Sequence, residues 1–311
     1  NDGRSPSSAF KTITKAASVV AAGSAVYVGA GTYTESSISP IVSGTAGNPI
    51  SFIADVDGNR TGDAGNVIIN GGGSPSAVIR PNGRSYIVFD GFIVTNAAAG
   101  VLVKTNANFV TIRNIIAHSN SGDGFAVLEA SSATFSNILS YNNGGDGIEL
   151  DTGVNVTIRN GTFAYNGDYG MRIEEDSTGA LLRDNVIYQN TNGGIKLAAD
   201  SAGGYDAAYN LIADPQFVDP NGADNILGGS GATDDRFHLS QIASGQGSNS
   251  PALDSGSETA SAAGLSDRTT RTDLVADGGT VDRGFHYRIP VAVGLSGLPK
   301  SQAVRVQLTV S

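Results

Sequence analysis

The sequence predicts an all-β chain wound as a parallel β-helix. Three observations point there: glycines recur at a near-constant interval, each opens a short alternating run, and an Asn or Asp follows at a fixed offset. Gly100, Gly124, Gly147, Gly170 and Gly194 are separated by 24, 23, 23 and 24 residues. They open Gly-apolar-x-apolar units: Val101/Val103, Phe125/Val127, Ile148/Leu150, Met171/Ile173 and Ile195/Leu197. Asn114, Asn137, Asn160 and Asp184 come 13 or 14 residues after the first four glycines. A second Asn closes each unit, at Asn120, Asn142, Asn166 and Asn190.

Period-two alternation over short runs means strands, and no stretch of the repeat carries a helical period. A repeat of this length means a solenoid, propeller or array. A propeller blade needs about 40 residues, and the leucine-rich pattern is absent, so one coil of short strands per repeat survives. Coils would stack at about 4.8 Å through ladder hydrogen bonds. The Asn columns fit tight corners, where Asn tolerates positive φ, and stacked amides can bond from coil to coil. The glycines are expected to serve the other corners.

Taken in order, residues 1–24 hold a helix candidate, "SPSSAFKTITKAASVVAAG". Ser7 or Ser8 would cap it, with Phe10, Ile13, Ala16, Ala17 and Val20 on one stripe and Gly23 at its end. An amphipathic helix there would cover the open end of a solenoid. Residues 25–212 form the β-helix, looser in period before Gly100. Residues 213–290 are loop-rich and read as an irregular C-terminal cap. Residues 291–311 contain an alternating strand, Val304, Val306, Leu308 and Val310, that reads as a tail or the start of a further module.

Composition narrows the function. The chain has 311 residues, 42 of them Gly, with 40% hydrophobic and 15% charged residues, enough for a core. Its net charge of −10, without a Lys/Arg cluster, argues against nucleic acid and anionic membrane surfaces. With no Cys there is no disulfide, thiolate metal site or Cys nucleophile. No run of 18 apolar residues occurs, so no membrane-spanning segment is expected. The chain begins at Asn1 with neither Met nor a leader-like segment, which fits a processed protein or a piece of a longer one.

"SPSSAFKTITKAASVVAAGSAVYVGAGTYTE" resembles the opening of right-handed parallel β-helix proteins of the pectate-lyase-like superfamily, in which "P-F-x-T-I-x-x-A" precedes "V-x-V-x-x-G-x-Y-x-E". "SPALDSGS" with "DRTTRTDLVADGGTVDRGFHYRI" is similar to the terminal element of bacterial secreted β-helix proteins. The resemblance spans roughly residues 5 to 290. It implies a right-handed helix, in line with the general preference for right-handed crossovers, and an extracellular or cell-surface location. It does not select an activity, since the fold hosts lyases, hydrolases, epimerases, adhesins and fibres.

A lyase of this superfamily carries a Lys or Arg base and Ca²⁺-holding carboxylates on one exposed sheet. Here the outward position two residues after each repeat glycine runs Leu102, Ala126, Glu149, Arg172 and Lys196. Two residues further it runs Lys104, Leu128, Asp151, Glu174 and Ala198. Lys196, Arg172 and Glu149 are therefore the catalytic candidates, with Lys104, Asp151 and Glu174 as binding candidates. The plainer reading is a cross-strand charge ladder.

Asp123 and Asp146 stack, with Asp168 nearby, as the Asp residues of a hydrolase of this fold would; they sit at a Gly-rich corner, where Asp is expected to bond its own backbone. "DVDGNRTGDAG" crowds Asp55, Asp57, Asn59 and Asp63 around Gly58, a set that suits Ca²⁺ or a plain turn; position 12 of an EF-hand loop would be Asn66. His118, His238 and His286 stand apart beside apolar or aromatic residues and read as structural. Asn155 and Asn160 fit a glycosylation pattern that strand-corner chemistry also explains.

The leading expectation is an extracellular structural, adhesive or assembly module, with glycan contact and filament formation as further options; its last strand could fold back onto its own module, begin an adjacent domain, or add to the next copy. The alternative is a Ca²⁺-assisted polysaccharide lyase or related glycan-active enzyme.

Overall fold

The computed structural model describes residues 2, 3, 5, 8–201, 205–228, 234–290 and 304–308. Three parallel sheets run along a solenoid. Sheet C consists of Val101–Lys104, Phe125–Leu128, Ile148–Asp151, Tyr169–Glu174 and Gly193–Leu197. Sheet A holds the next strand of each coil, from Ser24–Val28 to Tyr205–Asp206. Sheet B, from Gly31–Thr34 to Val186–Tyr188, closes the coil after the corner.

The expected register is present. Val127 pairs with Leu150, Leu150 with Ile173, and Ile173 with Leu197. The first three are buried, and Leu197, on the last strand of the sheet, is half-buried. Inside, Phe52 stacks on Phe89 with ring centroids 4.8 Å apart, the coil spacing itself. Each such buried ring contributes about 1.5–3 kcal/mol of apolar transfer.

The corner column behaves as its composition demands. Asn114, Asn137, Asn160 and Asp184 all adopt left-handed backbone, at φ 56, 51, 50 and 59°. Asn137 Nδ2 donates to Asn114 Oδ1 at 2.9 Å, continuing the amide chain from coil to coil.

The repeat glycines have a different cause from the one expected. None has positive φ; a Cβ on Gly147 would stand 2.5 Å from the carbonyl oxygen of Gly170. Close approach of neighbouring coils, rather than corner conformation, requires Gly there.

The second Asn column is Asn120, Asn143, Asn166 and Asn190, so Asn142 is one residue out. Asn120 Nδ2 reaches Asn143 Oδ1 at 2.9 Å, Asn143 reaches Asn166 at 3.0 Å, and Asn166 reaches Asn190 at 2.9 Å. These amides are buried, and each oxygen also accepts the backbone N–H of the preceding Asn. Asn142, at φ 52°, takes the corner conformation and bonds Ser119 and Leu227 instead.

The N-terminal helix, α1, is shorter than its apolar stripe suggests and spans Ile13–Ala17. Thr12 is the cap, accepting from Lys15 N, while the Glu35 carboxylate takes the N–H groups of Ile13 and Thr14 at 2.8 Å each. Ser8 lies outside the helix, and Ser7 lies outside the described residues. Phe10, Ile13, Ala16, Ala17 and Val20 are nevertheless all buried in the core.

The irregular region 213–290 lies along the flank of the solenoid. Phe237, Phe285 and Leu239 cover Leu139, Tyr141, Ala164 and Val186 on the outward side of sheet B. Residues 282–288 then run across the coils as a strap, using the corner column as pegs. Gly284 N donates to Asp184 O, and Phe285 N to Thr162 Oγ1. Asn137 takes His286 N at 2.7 Å and gives Nδ2 to His286 O at 3.0 Å. Arg288 pairs with Asp57 further toward the N-terminus.

The terminal strand Val304–Leu308 pairs antiparallel with Ser24–Val28, with Ser24 opposite Leu308 and Val28 opposite Val304. Its ladder is made within the chain, the fold-back option of the three, so this strand is not the one added to another copy. The first strand of sheet A offers an open edge, and a tethered segment reaches it at high effective concentration. Residues 291–303 and 309–311, the rest of that tail, lie outside the described residues.

Candidate functional site on sheet C

Alternation turns Val101, Phe125, Ile148 and Met171 inward, and so turns the residue after each one outward. Leu102, Ala126, Glu149, Arg172 and Lys196 are in register across five strands, as expected. Lys104, Leu128, Asp151 and Glu174 form the second column. Lys104 is thus separated from Asp151 by the Leu128 strand, and the structure does not bring those two together.

Arg172 is the hub. Its Nη2 lies 2.6 Å from Glu174, its Nη1 3.5 Å from Asp146 and 3.6 Å from Asp168, and its Nε 3.8 Å from Glu149. The corner carboxylates therefore have two jobs. Asp123 accepts Asp146 N at 2.7 Å and Asp146 accepts Tyr169 N at 2.8 Å, the backbone role expected of them. They also converge on the charge array, which sequence reasoning missed. The signal was the recurrence of Asp one residue before successive repeat glycines, at Asp123 and Asp146. Lys196 Nζ sits 5.4 Å from the ring centroid of Tyr169, a cation–π contact.

Crowded carboxylates around one guanidinium have unequal affinities for protons. Burial, then the charge of Asp123, pushes Glu149 up to about 7. Burial, reinforced by Asp123 and Asp168, pushes Asp146 up to about 6. Burial also raises Asp123. Glu174 is held low by its hydrogen bond to Arg172, and that same bond holds Arg172 charged.

The residues around Gly58 have other partners. Asp55 Oδ2 accepts from Arg60 N, Thr61 N and Thr61 Oγ1 at 2.8, 2.6 and 2.8 Å, stapling its own loop. Asp57 pairs with Arg288, Asn59 is exposed, and the Asp63 carbonyl accepts from Ala30 N at 3.2 Å. Among the described residues, the group of acidic and histidine ligand atoms lying within 4.8 Å of one another is Asp277, Asp282 and His286. They form a buried clasp in the strap: His286 bonds Asp277 at 2.8 Å and Gly284 O at 3.0 Å, and Asp282 takes Thr270 Oγ1 and Asp254 N. His118 stacks on Tyr141, with ring centroids 5.1 Å apart.

The family model described as right handed beta helix region matches residues 54–212. The chain belongs to this family. Its coil architecture is the one expected from the repeat, and its handedness the one the resemblance implied. No curated protein matches. Among solved structures, the A-module of a mannuronan C-5 epimerase from Azotobacter vinelandii is similar, at 17% identity and TM-score 0.41, over 57% of this chain and 52% of that one. The chain thus spans about half of that module's length. A pectate lyase is 14% identical over 88% of this chain and 90% of its own, with TM-score 0.41. A rhamnogalacturonan lyase is 12% identical over 75% and 92%, with TM-score 0.36. Among the described residues no helix is long and apolar enough to cross a membrane.

Proposed function

We propose that this right-handed β-helix is an extracellular glycan-contacting module, with the outward face of sheet C as its contact surface. The observation that carries this reading is the Arg172 array. A charge ladder kept only for stability would pair its charges evenly. Here Asp146, Glu149, Asp168 and Glu174 share one guanidinium, and burial raises Glu149 and Asp146 toward neutral pH against its pull. Such perturbed, partly buried groups cost stability and cluster where a ligand is met. The array sets fixed donors and acceptors along a flat sheet, beside the Tyr169 ring, which suits the hydroxyls and ring faces of a sugar chain.

Calorimetric titration with neutral and acidic oligosaccharides tests this reading. Binding should occur and should weaken at least about ten-fold in Arg172→Ala, a loss of about 1.4 kcal/mol. Indifference of the binding to that change would remove sheet C as the surface.

One observation favours a second reading, glycan cleavage. Glu149 is raised to about 7 while Glu174, on the next strand, is held low, and a protonated acid beside a charged carboxylate is the pair that glycoside hydrolysis uses. Release of reducing ends, lost in Glu149→Gln, would promote it. Unsaturated-sugar absorbance would point instead to lyase chemistry, with Lys196 or Arg172 as the base candidate.

A further inference from the structure

A second concave site lies away from the charged face of sheet C. It opens on sheet B, with a volume of about 1020 Å³. Sheet B is unusual in being apolar on both faces: Ile68, Ile93, Ile116 and Leu139 form an outward column in register. The C-terminal region covers Leu139 completely but leaves Ile68, Ile93 and Ile116 half-exposed as the floor of this cleft. Its far wall is the ribbon in which Arg268 lies directly opposite Arg288, together with Asp235, His238 and Tyr287.

The polar groups in this wall are unmatched in a specific way. Arg288 is tied to Asp57, and Arg113 to Asp90 at 2.8 Å, with the other Asp90 oxygen taken by Asn114. Arg268 is 14% exposed, and its ion-pair contact among the described residues is a 4.0 Å approach to Asp267, itself 80% exposed. Like charges directly opposite on paired strands repel, so this guanidinium is short of an anion. Burial lowers its pKa, as an under-neutralised cation requires. The Oδ2 of Asp235 accepts Gly228 N at 2.8 Å and its carboxyl faces the Tyr141 hydroxyl, but its Oδ1 is buried without a hydrogen bond of its own. The Nε2 of His238 is also buried without one. His118 and His238 are lowered to about 4 by burial, so the positive charge of the cleft belongs to its arginines.

We propose that this cleft binds a small hydroxylated carboxylate: the acid group on Arg268, the apolar face of the ligand on Ile68, Ile93 and Ile116, and a hydroxyl toward Asp235 Oδ1 and His238 Nε2. A largely buried cation whose ion pair is a long one, beside a buried acceptor oxygen without a hydrogen bond, asks for an anion and a donor on one molecule. The half-exposed isoleucines give its carbon skeleton a surface to cover. The cleft stands on a different sheet from the Arg172 array, and the inference does not rest on the reading given for that array.

The test is calorimetric titration of the whole chain with D-glucuronate and with mandelate, against glucose and benzyl alcohol as uncharged counterparts. At least one carboxylate should bind, at least about ten-fold more tightly than its uncharged counterpart, and should raise the melting temperature. Arg268→Gln should lose at least about ten-fold, while Arg268→Lys, which keeps the charge, should lose less. Preference for glucuronate identifies a sugar acid, and preference for mandelate a free aromatic hydroxy acid; both support the site. If Arg268→Gln fails to fold, Ile93→Asp replaces it, since a like charge on the floor should repel the same ligands. Failure of both carboxylates at millimolar concentration, equal binding of the uncharged compounds, or binding unchanged by both variants would overturn the inference.

Discussion

Replacing Asn137 separates two roles that one side chain performs. Its amide makes both hydrogen bonds that a neighbouring strand would make to His286, accepting the N–H at 2.7 Å and donating to the carbonyl at 3.0 Å. Asn137 is 2% exposed and His286 fully buried, so water does not easily replace either bond. A buried backbone group left unpaired costs about 1–3 kcal/mol, giving about 2–6 kcal/mol for the two. The strap can relax outward, which places the expected loss for Asn137→Gly in the lower half of that range. Asn137→Ala loses the same bonds and must also hold an L side chain at φ 51°, adding about 1–2 kcal/mol. Urea unfolding measures the total, and limited proteolysis between residues 255 and 290 reports release of the strap. Alanine should therefore be worse than glycine, and both should expose the strap. If both lie within about 1 kcal/mol of the parent, or glycine is the worse of the two, the peg argument is wrong.

Leu150→Asp places a charge in a fully buried column between Val127 and Ile173 and should abolish cooperative folding, seen as loss of the unfolding transition. Glu149 and Asp146 are raised above their unfolded values, so their protonated forms favour the folded state and stability falls as pH rises through about 6 to 7. Glu149→Gln should accordingly raise the melting temperature at pH ~8 more than at pH ~5. His118 is lowered to about 4, so the stability held by its neutral form is complete above about 6.5 and drains away as pH falls toward 4. His118→Phe, which keeps a ring on Tyr141, should flatten that acid limb in a pH series of melting temperatures.

The coil was legible because its causes are local. Alternation, positive-φ corners and close approach each require a residue type at one place in every repeat, and the period then emerges from the text. Asn142 was mistaken for Asn143 because two adjacent Asn satisfy the same spacing, and only the direction of the side chain separates them. The outward column through Glu149, Arg172 and Lys196 was legible for the same reason as the core. The convergence of Asp146 and Asp168 on Arg172 was not, because the recurrence of Asp before the repeat glycines marks a corner without telling which way its side chains turn. The cleft was further still from the text. Doubly apolar strands such as "FIVT" and "IIAH" hint that something covers sheet B. What covers it comes from residues more than a hundred positions later, and no local rule links Arg268 to Ile93.

Solenoids commonly gain and lose repeats, since each coil meets only its neighbours. The strap removes that freedom. Gly284, Phe285 and His286 engage the coils of Asp184, Thr162 and Asn137 in turn, and Arg288 closes on Asp57. Deleting one repeat between Asp57 and Asn137 would shift every contact beyond it by one coil height, about 4.8 Å, while the strap kept its length. The segment thus acts as a ruler laid against the stack: it measures the number of turns, and a chain with one turn too many or too few could not fasten both ends of it.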